Sequence, residues 1–379
     1  MNNFTVIFLI ALALSYGVQF WLSARQKSYV RDHRDEVPAA FRDRVALNAH
    51  QKAADYTIEK CRLGDLDSVA GLLFLLALTL GGGVSLVFDF WATFELSTMQ
   101  SSLAAVASII LLMTLIEMPF SLYQTFVIEE KYGFNKNTLG QFAKDQLISI
   151  GLTLIIGMPL LALILWVMDS IGSLWWVYAW LIIISFSLLM SWLFPTVIAP
   201  LFNKFTPMQD GSLRDRIQDL LKRCGFNSQG IFIMDGSRRS GHGNAYFTGL
   251  GNNKRIVFFD TLINSLDEDE LEAVLAHELG HFKCKHVIKM LVASSIMTLI
   301  SFAVLGWLIT QDWFFDGLGV STHSNAAALL LFTLVSPVFT TFMQPISAYF
   351  QRKFEFSISC FHGYGWVSVV DCAAISHAC

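Results

Sequence analysis

Seven stretches of this chain are long and apolar enough to cross a bilayer as a helix, and no other feature of the sequence constrains the fold as much. A hydrocarbon core about 30 Å thick needs roughly 20 apolar residues in helical form. The runs are Phe4–Leu22, Val69–Phe88, Leu103–Tyr123, Leu147–Met168, Leu174–Leu201, Val287–Ile309 and Ala326–Phe350. The fifth is long enough to tilt or to continue past the membrane. Phe4–Leu22 has no basic segment before it and no small-residue cleavage pattern after it, so it reads as a span and not as a signal peptide. In lipid the backbone must satisfy its own hydrogen bonds, so the expected fold is a mainly α membrane protein with seven transmembrane helices.

Charge sets the expected orientation, because Lys and Arg are retained on the cytoplasmic face. Of the 26 basic residues, all but Lys289 fall in Ser23–Asp67, Gln124–Gln146, Phe202–His286 or the tail after Phe350. The alternate loops, such as Trp91–Ser102 and Gln311–Asn325, hold none. This alternation puts the N terminus outside and every large polar segment in the cytoplasm. The outer loops are short, which favours a bacterial inner membrane over an endoplasmic reticulum membrane. No basic tract suits a phosphate backbone, so nucleic acid is excluded as a partner. The six cysteines include no CxxC pair, so neither a disulfide framework nor a thiolate zinc site is expected.

Pro119, Pro159, Pro195, Pro200, Pro337 and Pro345 lie in or at spans and read as tolerated kinks. Glu117 lies inside the third run and is either a packing partner or part of the wall of a wet cavity.

The largest polar segment, Phe202–His286, reads as a small α+β unit. Leu213, Ile217, Leu220, Leu221 and Cys224 recur at helical spacing up to Gly225. Ile231–Met234, Ala245–Thr248 and Arg255–Phe259 read as strands, with Gly249–Asn253 as the turn joining the last two. Ser265 and Glu268 form a capping-box pattern that starts a helix running through Leu271, Val274 and Leu275 to His281.

That helix carries His277-Glu278-Leu279-Gly280-His281, the HExxH pattern. Histidines four apart project from one face, close enough for both imidazoles to bind one zinc ion. Glu278 lies about 100° around the helix, where it can take a proton from zinc-bound water without binding the metal. Chance would give on the order of 0.006 such matches in a chain of this composition. The competing reading is a solvated His/Glu face. His286 is five residues past His281, about 140° round a continuous helix, and reads as supporting or structural. A third protein ligand must come from elsewhere, commonly a carboxylate further along, and Glu355 is the only glutamate after His281.

Taken together, these features resemble the type I CAAX prenyl endopeptidase family, seven-span integral-membrane zinc proteases. The matching segments are Phe126–Asn135, Met234–Ser237, Asn244–Phe247, Lys254–Val257, His277–His281 and Phe354–Phe356, in order, and the likeness covers residues 1 to about 356. The resemblance implies a water-filled chamber closed at its cytoplasmic end by the zinc site. It also implies peptide or protein substrates, including prenylated CAAX-type C termini. It assigns His277, His281 and Glu355 as ligands of one Zn2+ ion, Glu278 as base, and Asn244 and Ala245 to an edge strand that pairs with substrate backbone.

The likeness fails after Phe356. The family has an aspartate, orienting a zinc-ligating histidine, where this chain has Ser359, and nothing after Ser357 matches the family's oxyanion-stabilising segment. The expected organisation is a five-span membrane domain with two cytoplasmic loops (1–201), a cytoplasmic zincin-like catalytic segment (202–286), spans six and seven (287–350), a third-ligand segment (351–356) and an aberrant tail (357–379). The leading functional reading is a zinc-dependent membrane endopeptidase. The alternatives are a membrane-protein quality-control protease, whose heat-shock-type relatives have fewer spans, and a catalytically impaired, truncated homologue.

Overall fold

The computed structural model describes residues 2–223, 226, 230–248 and 255–359. Among the described residues, six helices are long and apolar enough to span a membrane: Asn3–Asp32, Thr98–Tyr132, Leu139–Ser170, Gly172–Phe202, His286–Leu308 and Asn325–Phe356. Leu47–Leu78 and Gly83–Ala92, bent by 54° at the break between them, pass the same test only as a pair and raise the number to seven if they form one span. The break follows from three successive glycines. Gly82 adopts a left-handed φ of 74°, and a Cβ on Gly81 would stand 2.6 Å from the carbonyl oxygen of Ala77. Only glycine lets the chain turn so tightly there. Besides the π segment Gln124–Glu129 in Thr98–Tyr132, two helices carry π segments beside a proline, Thr153–Gly157 just before Pro159 and Phe194–Ile198 around Pro195. Proline removes an N–H and crowds the preceding turn, which these wider turns accommodate. Glu117 is exposed in its helix and makes no ion pair among the described residues.

The chain divides into two compact units. The first holds residues 1–137, 142–179 and 301–342. Its core includes Phe8, Phe314, Phe315 and Leu318, all 2% exposed or less. Asn2 ties the first helix down by donating to the carbonyl of Trp313 at 2.7 Å, and Thr5 donates to that of Gly317 at 2.8 Å. Elsewhere in this unit the Tyr56 hydroxyl donates to Glu129 at 2.6 Å, and Tyr132 and Phe134 pack on the Tyr56 ring.

The second unit holds residues 138–141, 180–300 and 343–379. At its centre is a four-stranded sheet of β1 (Phe205–Pro207), β2 (Ile231–Met234), β3 (Ala245–Thr248) and β4 (Arg255–Phe259), in the order β1-β2-β4-β3. β2 and β4 run parallel, and the outer pairs are antiparallel. The strands read from the sequence are present with the same bounds, and β1 is additional: at three residues it is too short to leave a period-2 pattern. Cys224, Gly225 and the turn Gly249–Asn253 lie outside the described residues.

Two helices pack on this sheet, Ser212–Arg223 through Ile217, Leu220 and Leu221, and Glu268–Lys283 through Leu271, Leu275 and Leu279. The three leucines of the second helix are each 2% exposed or less, and full burial of each contributes about 2 kcal/mol. Arg216 crosses between the helices to Glu272 at 2.8 Å and Asp269 at 2.5 Å. This exposed network fixes their register more than it stabilises them.

The start of Glu268–Lys283 differs from the sequence reading. Ser265 ends a preceding short helix, Asp260–Ser265, and donates to Leu262. The capping box is instead made by Asp267 and Glu270: the Glu270 N–H donates to the Asp267 carboxylate at 2.8 Å, and the Asp267 N–H to that of Glu270 at 3.1 Å. Asp serves as well as Ser in this role, and the later start keeps Glu268 in the first turn. Asp267→Ala should therefore destabilise the protein by about 1 kcal/mol while Ser265→Ala has little effect, measured by chemical denaturation in detergent.

Candidate metal centre

Burial of Leu271, Leu275 and Leu279 decides where the histidines point. His277 and His281 each lie two residues past a buried leucine, about 200° around the helix, so they face away from the sheet. Both are partly exposed, their rings 5.2 Å apart between centroids. Across from them the helix Gln344–Ser359 presents Glu355. One Glu355 oxygen lies 3.3 Å from His277 Nε2 and the other 3.5 Å from His281 Nε2. One donor atom from each residue lies within 4.8 Å of the other two.

These spacings can be tested against an ion. Donors bound at about 2.0–2.2 Å in a tetrahedron stand about 3.3–3.6 Å apart. The two His–Glu distances fall in that range. Two imidazoles and a carboxylate are also a donor set suited to zinc. Glu278, on the same helix, is half-buried.

His286 is the residue that reading the helix as continuous misplaced. Lys285 adopts φ 56°, breaking the chain between Glu268–Lys283 and His286–Leu308. The turn swings His286 back, so that its Nδ1 lies 3.3 Å from Nδ1 of His281, the nitrogen that does not face Glu355. The His286 side chain is 2% exposed and stacks on Phe354 at 4.2 Å and 18°. Phe354 precedes Glu355, so one buried ring touches both sides of the centre. The five-residue spacing from His281 was the available signal, but it becomes informative only once a break at Lys285 is known.

Asn244 is exposed and lies just before β3, not within it. Its carbonyl accepts from the Phe259 N–H and its side chain accepts from that of Ala245, both at 2.9 Å. Ala245 and Phe247 pack toward the core, while the other edge of β3 has no strand partner among the described residues. Tyr246 points the other way, and burial pushes its phenol pKa up. The backbone places Ser359 one helical turn past Glu355.

Comparison with known proteins gives this arrangement a family. Residues 26–204 match the CAAX prenyl protease N-terminal model, described as five membrane helices, and residues 207–357 match peptidase family M48. A CAAX prenyl protease 1 homolog from Dictyostelium discoideum is 34% identical over 94% of this chain and 85% of its own length. The chain belongs to the CAAX prenyl protease 1 family. CAAX prenyl protease 1 of Saccharomyces cerevisiae is 39% identical over 64% of this chain, which spans about half (53%) of that relative. The crystal structure of S. mikatae Ste24p superposes with a TM-score of 0.87 at 30% identity, covering 95% of this chain and 88% of that one. Membership in this family and in M48 makes the chain a multi-pass membrane protein and, by family, a metalloendopeptidase.

Proposed function

We propose that this chain is a zinc endopeptidase acting on protein substrates at the cytoplasmic face of its membrane, with prenylated CAAX-type C termini among them. The observation that carries the proposal is the convergence of His277, His281 and Glu355 at the spacing of zinc ligands. When bound there, zinc supplies Lewis acidity that brings the pKa of a coordinated water toward neutrality. Glu278 accepts the proton of the attacking water and returns it to the leaving amine. The edge of β3 that has no strand partner among the described residues takes an extended peptide backbone to backbone, with Asn244 and Ala245 at its start. Residues 202–286 and 351–356 form the catalytic part and residues 1–201 and 287–350 the membrane part. The relatives' names favour the prenyl protease reading over a general quality-control role.

Three substitutions separate these roles. Glu278→Gln keeps the shape of the side chain but cannot take the proton, so it should retain zinc and lose hydrolysis of a farnesylated peptide. His277→Ala should lose the metal itself. Asn244→Ala should raise KM or lower kcat with zinc content unchanged. Near-normal turnover by Glu278→Gln would rule out the mechanism.

Orientation rests on the basic residues of Phe202–His286. An impermeant maleimide should fail to label a cysteine introduced by Gln209→Cys in intact cells. Ready labelling would invert the topology. As to which membrane, the short outer loops favour a bacterial inner membrane, while the relatives above come from eukaryotes. Fractionation of the source cell decides between them.

His286 holds the far nitrogen of His281 in this scheme, a position where partners typically govern metal affinity by about 10 to 100-fold. His286→Phe keeps the stack on Phe354 and the burial but removes the nitrogen. It should fold, yet release zinc to a chelator at about 10 to 100-fold lower competitor concentration, and His286→Asn should restore part of the affinity. Equal affinity in His286→Phe would show that the ring only fills space.

Residues 357–379 depart from the family, and Ser359 stands where the resemblance calls for an aspartate. Loss of one oxyanion donor commonly costs about 100 to 1,000-fold in kcat. The chain should therefore hold zinc but hydrolyse slowly, and a family-like C terminus after Phe356 should restore turnover. Full activity without that change would contradict this reading of the tail.

A further inference from the structure

We propose that a basic cavity in the first unit binds a soluble phosphorylated small molecule. The cavity, of about 620 Å3, lies among the helices Asn3–Asp32, Leu47–Leu78 and Glu130–Tyr132. Five cations and two acids line it. Both acids are engaged. Asp55 accepts from the Arg34 guanidinium at 2.8 and 2.9 Å, and Glu59 pairs with Lys131. Arg31, Lys52 and Arg62 are left with no carboxylate partner among the described residues.

Composition alone does not produce this excess. Residues 23–67 carry nine Lys and Arg against eight Asp and Glu, close to neutral. The structure sorts them: Asp65 is held by Lys27 and Glu36 by Arg42, away from the cavity lining. Three uncompensated cations around one space repel one another, and an anion carrying two or more charges relieves that repulsion. Two of the three are arginines, whose guanidinium forks match phosphate oxygens in pairs. The volume exceeds that of a lone phosphate ion, and Asn48 adds an amide suited to hydroxyl groups. A nucleotide or sugar phosphate has this combination of charge and hydroxyls.

Position along the helix decides between a soluble source and a lipid. Arg62 and Lys52 lie seven and seventeen residues before the apolar run that begins at Val69. At 1.5 Å per residue they stand about 10 and 25 Å beyond it. The headgroup layer extends only about 5–8 Å past the hydrocarbon on each side. The cavity is therefore out of reach of an ordinary lipid phosphate.

Titration calorimetry of the purified protein in an uncharged detergent, with inorganic pyrophosphate as probe, tests the site. Saturable binding should weaken as salt is raised. Lys52→Gln and Arg62→Gln should each weaken it about tenfold, the scale of one charge-assisted contact, with unfolding midpoints unchanged. Arg62→Lys should keep more affinity than Arg62→Gln, and Arg42→Gln, outside the cavity, should keep all of it. Three outcomes would overturn the proposal: no saturable pyrophosphate binding, binding unaffected by the cavity substitutions, or competition by a polyglutamate peptide as strong as by phosphate. Loss of pyrophosphate binding in nanodiscs containing phosphatidic acid, with binding kept in phosphatidylcholine nanodiscs, would also overturn it, by assigning the site to a lipid.

Discussion

The candidate metal centre depends on the burial of one leucine stripe. Leu271, Leu275 and Leu279 occupy one face of the helix Glu268–Lys283 and lie against the sheet at 2% exposure or less. With 3.6 residues per turn, seating that stripe leaves no choice about His277 and His281, which must face the other way. Arg216 and the Asp267–Glu270 cap hold the same helix in register and fix its start. A polar substitution in the stripe would rotate or loosen the helix without touching either histidine.

The partner that meets these histidines arrives from far along the chain. Glu355 is 74 residues past His281, near the end of the second of two membrane-length helices that follow it. His286 and Phe354 form the local clamp between the two segments: one ring is stacked on the other, His286 reaches His281, and Phe354 is bonded to Glu355. The left-handed Lys285 makes the clamp possible, since a helix continued through that point would carry His286 to another face. A non-glycine residue held at positive φ costs free energy that surrounding contacts must offset. Here the contact is the buried His286 ring beside His281.

Much of this was legible in the sequence because it rests on local periodicity. The spans, β2, β3 and β4, and the helix carrying His277 and His281 follow from hydrophobic period and length. What escaped depends on tertiary context. The three-residue β1 is recruited by pairing with β2, not by its own pattern. The kink at Gly82 could be suspected from three glycines, but its angle of 54° leaves no pattern in the sequence. The capping box was placed two residues early because Ser265 and Asp267 begin equally good patterns, and only the short helix Asp260–Ser265 decides between them. His286 needed a backbone break that no residue type at position 285 announces. The charge segregation around Arg62 was hidden because the surrounding stretch is nearly neutral in sequence.

The central claim is that His277, His281 and Glu355 together hold one zinc ion. Zinc K-edge X-ray absorption on the purified chain reads the ligand shell directly. The account predicts a shell at about 2.0–2.1 Å of two imidazole nitrogens and carboxylate or water oxygen, with the carboxylate contribution lost in Glu355→Ala. A sulfur-containing shell near 2.3 Å, or a shell unchanged by Glu355→Ala, would contradict it.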